Sequence, residues 1–355
     1  MFADELFGKV TYRFETLLEP LRSSEVATPG LFHTIVTVDQ FRYCKRLDWY
    51  CQVDTNQGKA LFFDTGHPAL TGMAFFDETL SRNGLRWNQV DIFLTHFHVD
   101  HAGNLPYCLN QGVQSASFVA PMPYKDSLPG EFLTWTRSSE VMCNDSDTIE
   151  HLELLYGKDY LTDIPLERCC EVAAGDTFSI GDFHWEVLPT PGHTSEHACL
   201  IERDRQILLS GDHLIYAKPG MTQLIPDEHL IAQYLQSMSD LRAHTLRLVL
   251  MSHHEPLEGK DVINAFLKKT QDGYLDLLDV AQDQIKQWGA VTAYDMACKI
   301  ADEHYPDGID TFRPDVQMRR VGLTFGTLEG LYDEGRVERR QDDDGAFVYF
   351  TKRRK

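Results

Sequence analysis

Short apolar runs of strand character recur through the first 250 residues: HTIVTV (33–38), ALFFDTG (60–66), VDIFLTH (90–96), FHWEVLPT (183–190), QILLSGD (206–212) and LRLVLMSH (246–253). β-branched and aromatic residues fill them, and turn or polar residues close them. Between them lie helical periods: a segment opening at Thr71, one following His101, and 228–244, where Ile231, Leu235, Met238 and Leu241 repeat at helical spacing. The pattern is that of a mixed α/β chain. From 121 to 166 no strand signal is strong; a proline-rich aromatic stretch gives way to an acidic one, and we expect an insertion that roofs a pocket. After 258 the character changes. A long helix over 260–287, a second begun by Thr292 as cap, a third stopped at Gly335 and two short strands around DDDG predict a helix-turn-helix with a β-hairpin wing. The expected organisation is a catalytic domain over 1–258 and a long helix with a small winged-helix domain over 259–355.

Composition narrows the partners. The chain has 355 residues and a formal net charge of -21, which opposes phosphate backbones and anionic membrane surfaces. Nucleic acid is therefore not the expected ligand. The N-terminal stretch carries acids and no continuous apolar core, and no later run approaches the roughly 18 apolar residues of a membrane span. Eight cysteines are scattered without a CxxC pair, so neither a disulfide framework nor a thiolate zinc knuckle is indicated. Reduced thiols and the absence of an export signal lead us to expect a cytoplasmic protein.

The chemistry gathers where the strands end. LTHFHVDHAGN places His96, His98, Asp100 and His101 within six positions after an apolar strand. His96 and His98 share a face of extended backbone, and Asp100 and His101 fall where the chain turns into a helix. Imidazole and carboxylate at this density are the usual surroundings of zinc or iron. LPTPGHTSEH presents His193 after Pro191 and Gly192, SGDHL presents Asp212 and His213 after Gly211, and LVLMSHHEP runs into His253 and His254. Strand alternation allows only one of those two histidines to face a common site.

The set DTG, THFHVDHAGN, PTPGHTSEH, SGDHL and SHHEP, in this order, resembles the metallo-β-lactamase superfamily of metal-dependent hydrolases over roughly residues 30–257. The resemblance implies an αββα sandwich followed here by a small C-terminal winged-helix domain, as in the branch with hydroxyacylglutathione hydrolase-like and thioesterase-like members. It also implies a ligand set. His96, His98 and His193 would hold one ion, Asp100, His101 and His253 a second, and Asp212 would bridge them. Aligning the strand and Pro256 favours His253 over His254, which then stands where glycine is common. Two divalent ions, zinc first with iron or manganese also suited, would share a bridging hydroxide and polarise the bond under attack. Asp100 could take a proton from that water, and His213 or His197 could donate one to the leaving group. Asp64 would orient a ligand imidazole.

For a small acyl substrate, whether thioester, ester or lactone, we expect Trp135, Phe132, Tyr156 and Tyr160 of the insertion, together with His254, to line the pocket. A metal-dependent endoribonuclease is the alternative. Its basic face would draw on Arg313, Arg319, Arg320, Arg336, Arg339 and Arg340, but interleaved acids nearly cancel them. A di-iron redox or oxygen-handling protein is a third reading, disfavoured by the histidine-rich ligands and by the lack of a phosphate-cradling loop after 258. The expected protein is a metal-dependent acyl hydrolase, with the winged helix as a packing or homodimerisation element.

Overall fold

The computed structural model describes residues 19–24, 26–37, 46–67, 74–113, 115–120, 129–138, 166–215, 225–312 and 314–351. In the strand Lys59–Phe63, Leu61 and Phe63 enter one apolar cluster while Ala60 and Phe62 enter another. A strand buried on both faces reads as a continuous apolar run, which is why the sequence shows no polar alternation there.

Seven strands form the first sheet in chain order: β1 (Glu19–Pro20), β2 (Leu31–Thr37), β3 (Arg46–Asp54), β4 (Lys59–Phe63), β5 (Val90–Phe93), β6 (Ala116–Val119) and β7 (Cys169–Val172). Pairing is antiparallel through β4 and parallel from β4 to β7. Parallel neighbours need crossovers, and α1 (Ala74–Arg82), α2 (Val99–Ala102), α3 (Leu105–Gln111) and α4 (Pro129–Thr136) lie in them. The second sheet contains β8 (Thr177–Ile180), β9 (Phe183–Pro189), β10 (Ala198–Glu202), β11 (Ile207–Gly211), β12 (Leu248–Met251) and β13 (Leu257–Glu258), in the order β13-β12-β11-β10-β9-β8. Only β11 and β12 run parallel there, and α5 (Leu230–Ala243) carries their crossover.

Three apolar clusters hold these layers. Tyr50, Leu61, Phe63 and Phe93 of the first sheet meet Trp185, Val187, Leu200, Leu209 and Leu250 of the second. The outer face of the first sheet packs on α1 and α3 through Phe62, Phe76, Leu105 and Leu109. The outer face of the second, with Ile201, Leu208, Val249 and Met251, packs on α5 through Ile231, Met238 and Leu241. The result is an αββα sandwich.

The C-terminal region supplies α6 (Lys260–Trp288), α7 (Ala293–His304), α8 (Pro314–Asp333) and the hairpin β14 (Glu338–Gln341) and β15 (Phe347–Phe350). Thr292 caps α7 reciprocally with Asp295, and Gly335 takes a positive φ of 66° just past α8. Leu267, Tyr274, Met296, Val321 and Phe325 from these helices join the same cluster as Val249 and Met251, so one apolar core crosses position 258. Of the segment 121–166, α4 is the main described part. It leans on the C-terminal region, with ring centroids 5.8 Å apart for Phe132 and Phe325 and 6.4 Å apart for Trp135 and Phe347.

Candidate metal centre

The strand ends of both sheets converge at one edge. Residue 96 follows β5, residues 100 and 101 lie in α2, and residues 193, 212 and 253 follow β9, β11 and β12. Two glycines make the convergence possible. At Gly192 (φ 139°) a Cβ would lie 2.4 Å from Tyr234 Cα, so the turn carrying His193 can press onto α5 only without a side chain. Gly211 (φ 49°) ends β11 at a register shift, where a Cβ would lie 2.8 Å from both His197 Nε2 and Thr95.

All seven ligand-type residues expected from the sequence fall into two overlapping groups: His96, His98, His193 and Asp212, and Asp100, His101, Asp212 and His253. Within each group the donor atoms lie within 4.8 Å of one another, and Asp212 belongs to both. His96 Nε2 and His193 Nε2 each approach His98 Nδ1 to 3.0 Å. His253 Nε2 is 3.2 Å from Asp100 Oδ2 and 3.2 Å from Asp212 Oδ1, and His101 Nε2 is 3.2 Å from the same Asp212 oxygen. His254 turns aside, its Nδ1 3.1 Å from Glu255 O.

The backs of the rings are also held. Asp64 sits in the left-handed region (φ 64°), where its carboxylate accepts from Thr95 N–H (2.7 Å) and from His101 Nδ1–H (2.8 Å). Thr95 Oγ1 lies 3.0 Å from His96 Nδ1, and Arg46 O accepts from His253 Nδ1–H at 2.9 Å. Each of these contacts leaves the opposite nitrogen to the site.

The residues suit divalent ions. Burial lowers His96, His98 and His193, the last to about 3, so these imidazoles are neutral and offer lone pairs. Burial opposes ionisation of Asp212, but His253 and His101 hold its carboxyl well below the usual range. For His101, burial opposes the charge that Asp212, Asp100 and Asp64 favour, and the carboxylates prevail. Among the described residues, buried His101 Nε2 and Asp212 Oδ1 have no hydrogen-bond partner, although they face one another. Imidazole nitrogens and carboxylate oxygens crowded together with these two atoms unsatisfied are what a shared cation would resolve.

Other expected site residues lie elsewhere. His197 and His213 are both fully buried. His197 Nδ1 meets Thr190 Oγ1 at 2.9 Å with its ring behind His96, and His213 lies tilted against Tyr234 one ring further back. Burial lowers His213 to about 3. Trp135 packs on Phe347, and Phe132 is core. Tyr156 and Tyr160 lie outside the described residues. Three groups near the site escaped sequence reasoning: His67, buried and lowered to about 4, and the acids Glu196 and Asp48. His67 and Glu196 each stand three positions past a motif residue, Asp64 and His193, but only spacing would have flagged them.

Comparison with known proteins agrees with this geometry. The family model described as the metallo-beta-lactamase superfamily matches residues 52–113 and 172–253. A β-lactamase domain protein of Burkholderia ambifaria superposes with a TM-score of 0.67 at 20% identity, covering 98% of this chain and 100% of that one. A metallo-β-lactamase family protein of Thermus thermophilus gives 0.62 at 21% identity, covering 91% and 99%. An uncharacterized protein of Aquifex aeolicus is 28% identical over 173 residues, 48% of this chain and 67% of its own length. An acyl-coenzyme A thioesterase of Homo sapiens is 31% identical over 118 residues, 33% of this chain and 39% of the enzyme. An endoribonuclease of Mycosarcoma maydis is 46% identical over 66 residues, 17% of this chain and 7% of that protein. Thus the chain spans well under half the length of the two relatives with a named activity. A two-sheet sandwich, a shared Asp212 between two donor groups at its edge, and a family model matching both halves of that edge lead to one assignment: the chain belongs to the metallo-β-lactamase superfamily of metal-dependent hydrolases.

Proposed function

We propose that the protein is a dinuclear metal-dependent hydrolase of a small acyl compound, a thioester, ester or lactone. The observation that carries this reading is the pair of donor groups joined at Asp212. A structural ion keeps four protein ligands to itself, whereas each group here has three of its own and shares the fourth, Asp212, an arrangement in which water and substrate complete the surroundings of two neighbouring ions. When bound there, two divalent ions, zinc before iron or manganese, would supply water activated near neutral pH and would polarise the carbonyl. The chain does the rest. Asp100 lies beside His253 Nε2 at 3.2 Å, where it would accept the proton of the activated water; burial opposes its ionisation, but His101 and His253 hold it ionised. Asp64, Thr95 and Arg46 O keep the imidazoles turned inward. His197 and His213 serve as packing behind the ligands.

The match to an acyl-coenzyme A thioesterase supports the acyl substrate. The match to an endoribonuclease favours a second reading, nucleic-acid cleavage, with the C-terminal helices and hairpin as a winged helix. Against it stand the net charge of -21 and the use made of the C-terminal arginines. Arg339 is spent on Glu329 and Asp227, Arg336 on Asp279 and Glu334, and Arg320 stacks over Phe312. All six cysteines among the described residues are free, which suits the reducing cytoplasm, and no described helix is long and apolar enough to cross a membrane.

Elemental analysis of protein purified without chelator should give about two divalent ions per chain. The loaded protein, offered acyl thioesters, lactones and single-stranded RNA in parallel, should turn over an acyl compound. Salt-sensitive RNA cleavage without ester turnover would reverse the ranking, and a reproducible metal content near zero would remove the mechanism.

A further inference from the structure

β3 belongs to the first sheet and the turn after β12 to the second, yet residues 46–50 grip 251–255 at the edge of the sandwich. Asp48 N–H donates to Ser252 O (2.6 Å), and Tyr50 Oη donates to Met251 O (3.1 Å). His253 Nδ1 donates to Arg46 O (2.9 Å), and Arg46 Nη1 donates to Glu255 Oε1 (2.5 Å). The centre of this grip is Asp48, only 2% exposed. It accepts from Arg46 Nε and Nη2, the latter at 2.6 Å, and lies 2.6 Å from His33 Nε2. The His33 ring is in turn stacked on Tyr50 with centroids 4.6 Å apart. A carboxylate buried this deeply is tolerable only when paired, so the Arg46 side chain is tied to its own strand two residues on.

We infer that Asp48 and Arg46 form a latch that fixes the rotation and tautomer of His253, and so sets the affinity of the Asp100, His101, Asp212 and His253 group for a divalent ion. The inference rests on the dinuclear reading above. A histidine that donates from Nδ1 to a carbonyl carries its lone pair on Nε2, here the atom 3.2 Å from Asp100 and Asp212. Released from Arg46 O, the ring can turn or present Nε2–H, which repels a cation. Asp48 touches neither the donor atoms nor the space between them, so it is a positioning residue.

The test uses full-length protein stripped of metal and titrated with Zn2+ against a chromophoric chelator. The parent takes up two equivalents. Asp48→Asn and Arg46→Met should keep the first equivalent at parental affinity and weaken the second about 10- to 100-fold. Long-range 1H–15N spectra of the zinc-loaded chains should show one His253 Nδ1–H signal in the parent and a lost or doubled signal in both variants, which a structural change elsewhere would not produce. If either of these does not fold, Arg46→Lys decides alone, since it keeps a cation beside the buried Asp48 while removing the two-pronged pairing, at a side chain that is 25% exposed. Unchanged second affinity in a folded variant overturns the latch. A parent that takes up fewer than two equivalents overturns the dinuclear reading itself.

Discussion

His253 and His254 are neighbours with different fates. The last pairing of β12 at Met251 leaves His253 to reach across to Arg46 O while His254 turns to Glu255 O, half-buried beside the donor groups. Its ring stands where the resembled motif commonly has glycine, so it takes space next to the site without joining it. Glu196 is a second residue whose setting matters. Burial raises its carboxyl to about 7, and Glu228, raised to about 7 by burial and then by Glu196, shares the effect. An unfolded glutamate titrates near about 4.3. The folded chain therefore holds protons that the unfolded chain has lost, and the contribution of this pair to stability is fullest below about pH 4 and declines as pH rises through about 7. Glu196→Gln removes the titration, so in urea unfolding of the metal-free chains its gain over the parent should grow across that window to on the order of 3 kcal/mol. Parallel pH profiles for the two proteins would refute this. The seven ligand-type residues were legible because HxHxDH is dense and the remaining three follow strand ends. Glu196 and Asp48 were not, because a single acid in a polar stretch gives no sign that folding will bury it.

At the scale of elements, β2, β4, β5, β9, β11 and β12 were readable as apolar runs while β3, β6, β7, β8 and β10 were not singled out, and the αββα order came from a resemblance rather than from periodicity. Strands buried on both faces show no alternation, so the partition of Leu61 and Phe63 from Ala60 and Phe62 appears only once both layers are placed. The turns at strand ends are more demanding than their sequences suggest. Gly192 faces the α5 backbone at a φ of 139°, and Gly192→Ala should destabilise the chain by about 2 to 4 kcal/mol through strain and overpacking. Because that turn carries His193, zinc uptake should fall along with the melting temperature. Parental melting and uptake would show that the turn yields freely. The segment expected to roof a pocket has one described helix, α4, and its rings Phe132 and Trp135 are used against the C-terminal region. Aromatic content alone did not distinguish a pocket wall from an interface, since both bury the same ring area.

Across the whole molecule, the change of character at 258 marks new elements but not a break in packing. α6, α7 and α8 share one apolar cluster with the second sheet, and a charged knot reinforces it. Glu329 is fully buried and accepts from Arg339 (2.6 Å), Tyr349 Oη (2.6 Å) and Asp227 N–H (3.0 Å), while Arg339 also reaches Asp227 Oδ1 at 2.8 Å. Asp227 lies just before α5, so the knot ties the crossover behind the site to the C-terminal hairpin. Arg339→Met would leave Glu329 buried without its cation, and urea unfolding should show a loss of about 3 to 5 kcal/mol. A loss below about 1 kcal/mol would mean that the hairpin adds nothing to the fold. The sequence by itself determined the α/β class, the histidine and aspartate donor types and the family, because strand character and dense donor motifs are written in residues close along the chain. Only the tertiary structure decided how His253 is held at Arg46 O, which acids are buried, and that the C-terminal helices complete the core of the second sheet. Those outcomes depend on contacts between segments as far apart as Arg46 and His253, or Asp227 and Arg339, and distance along the chain carries no mark of such contacts.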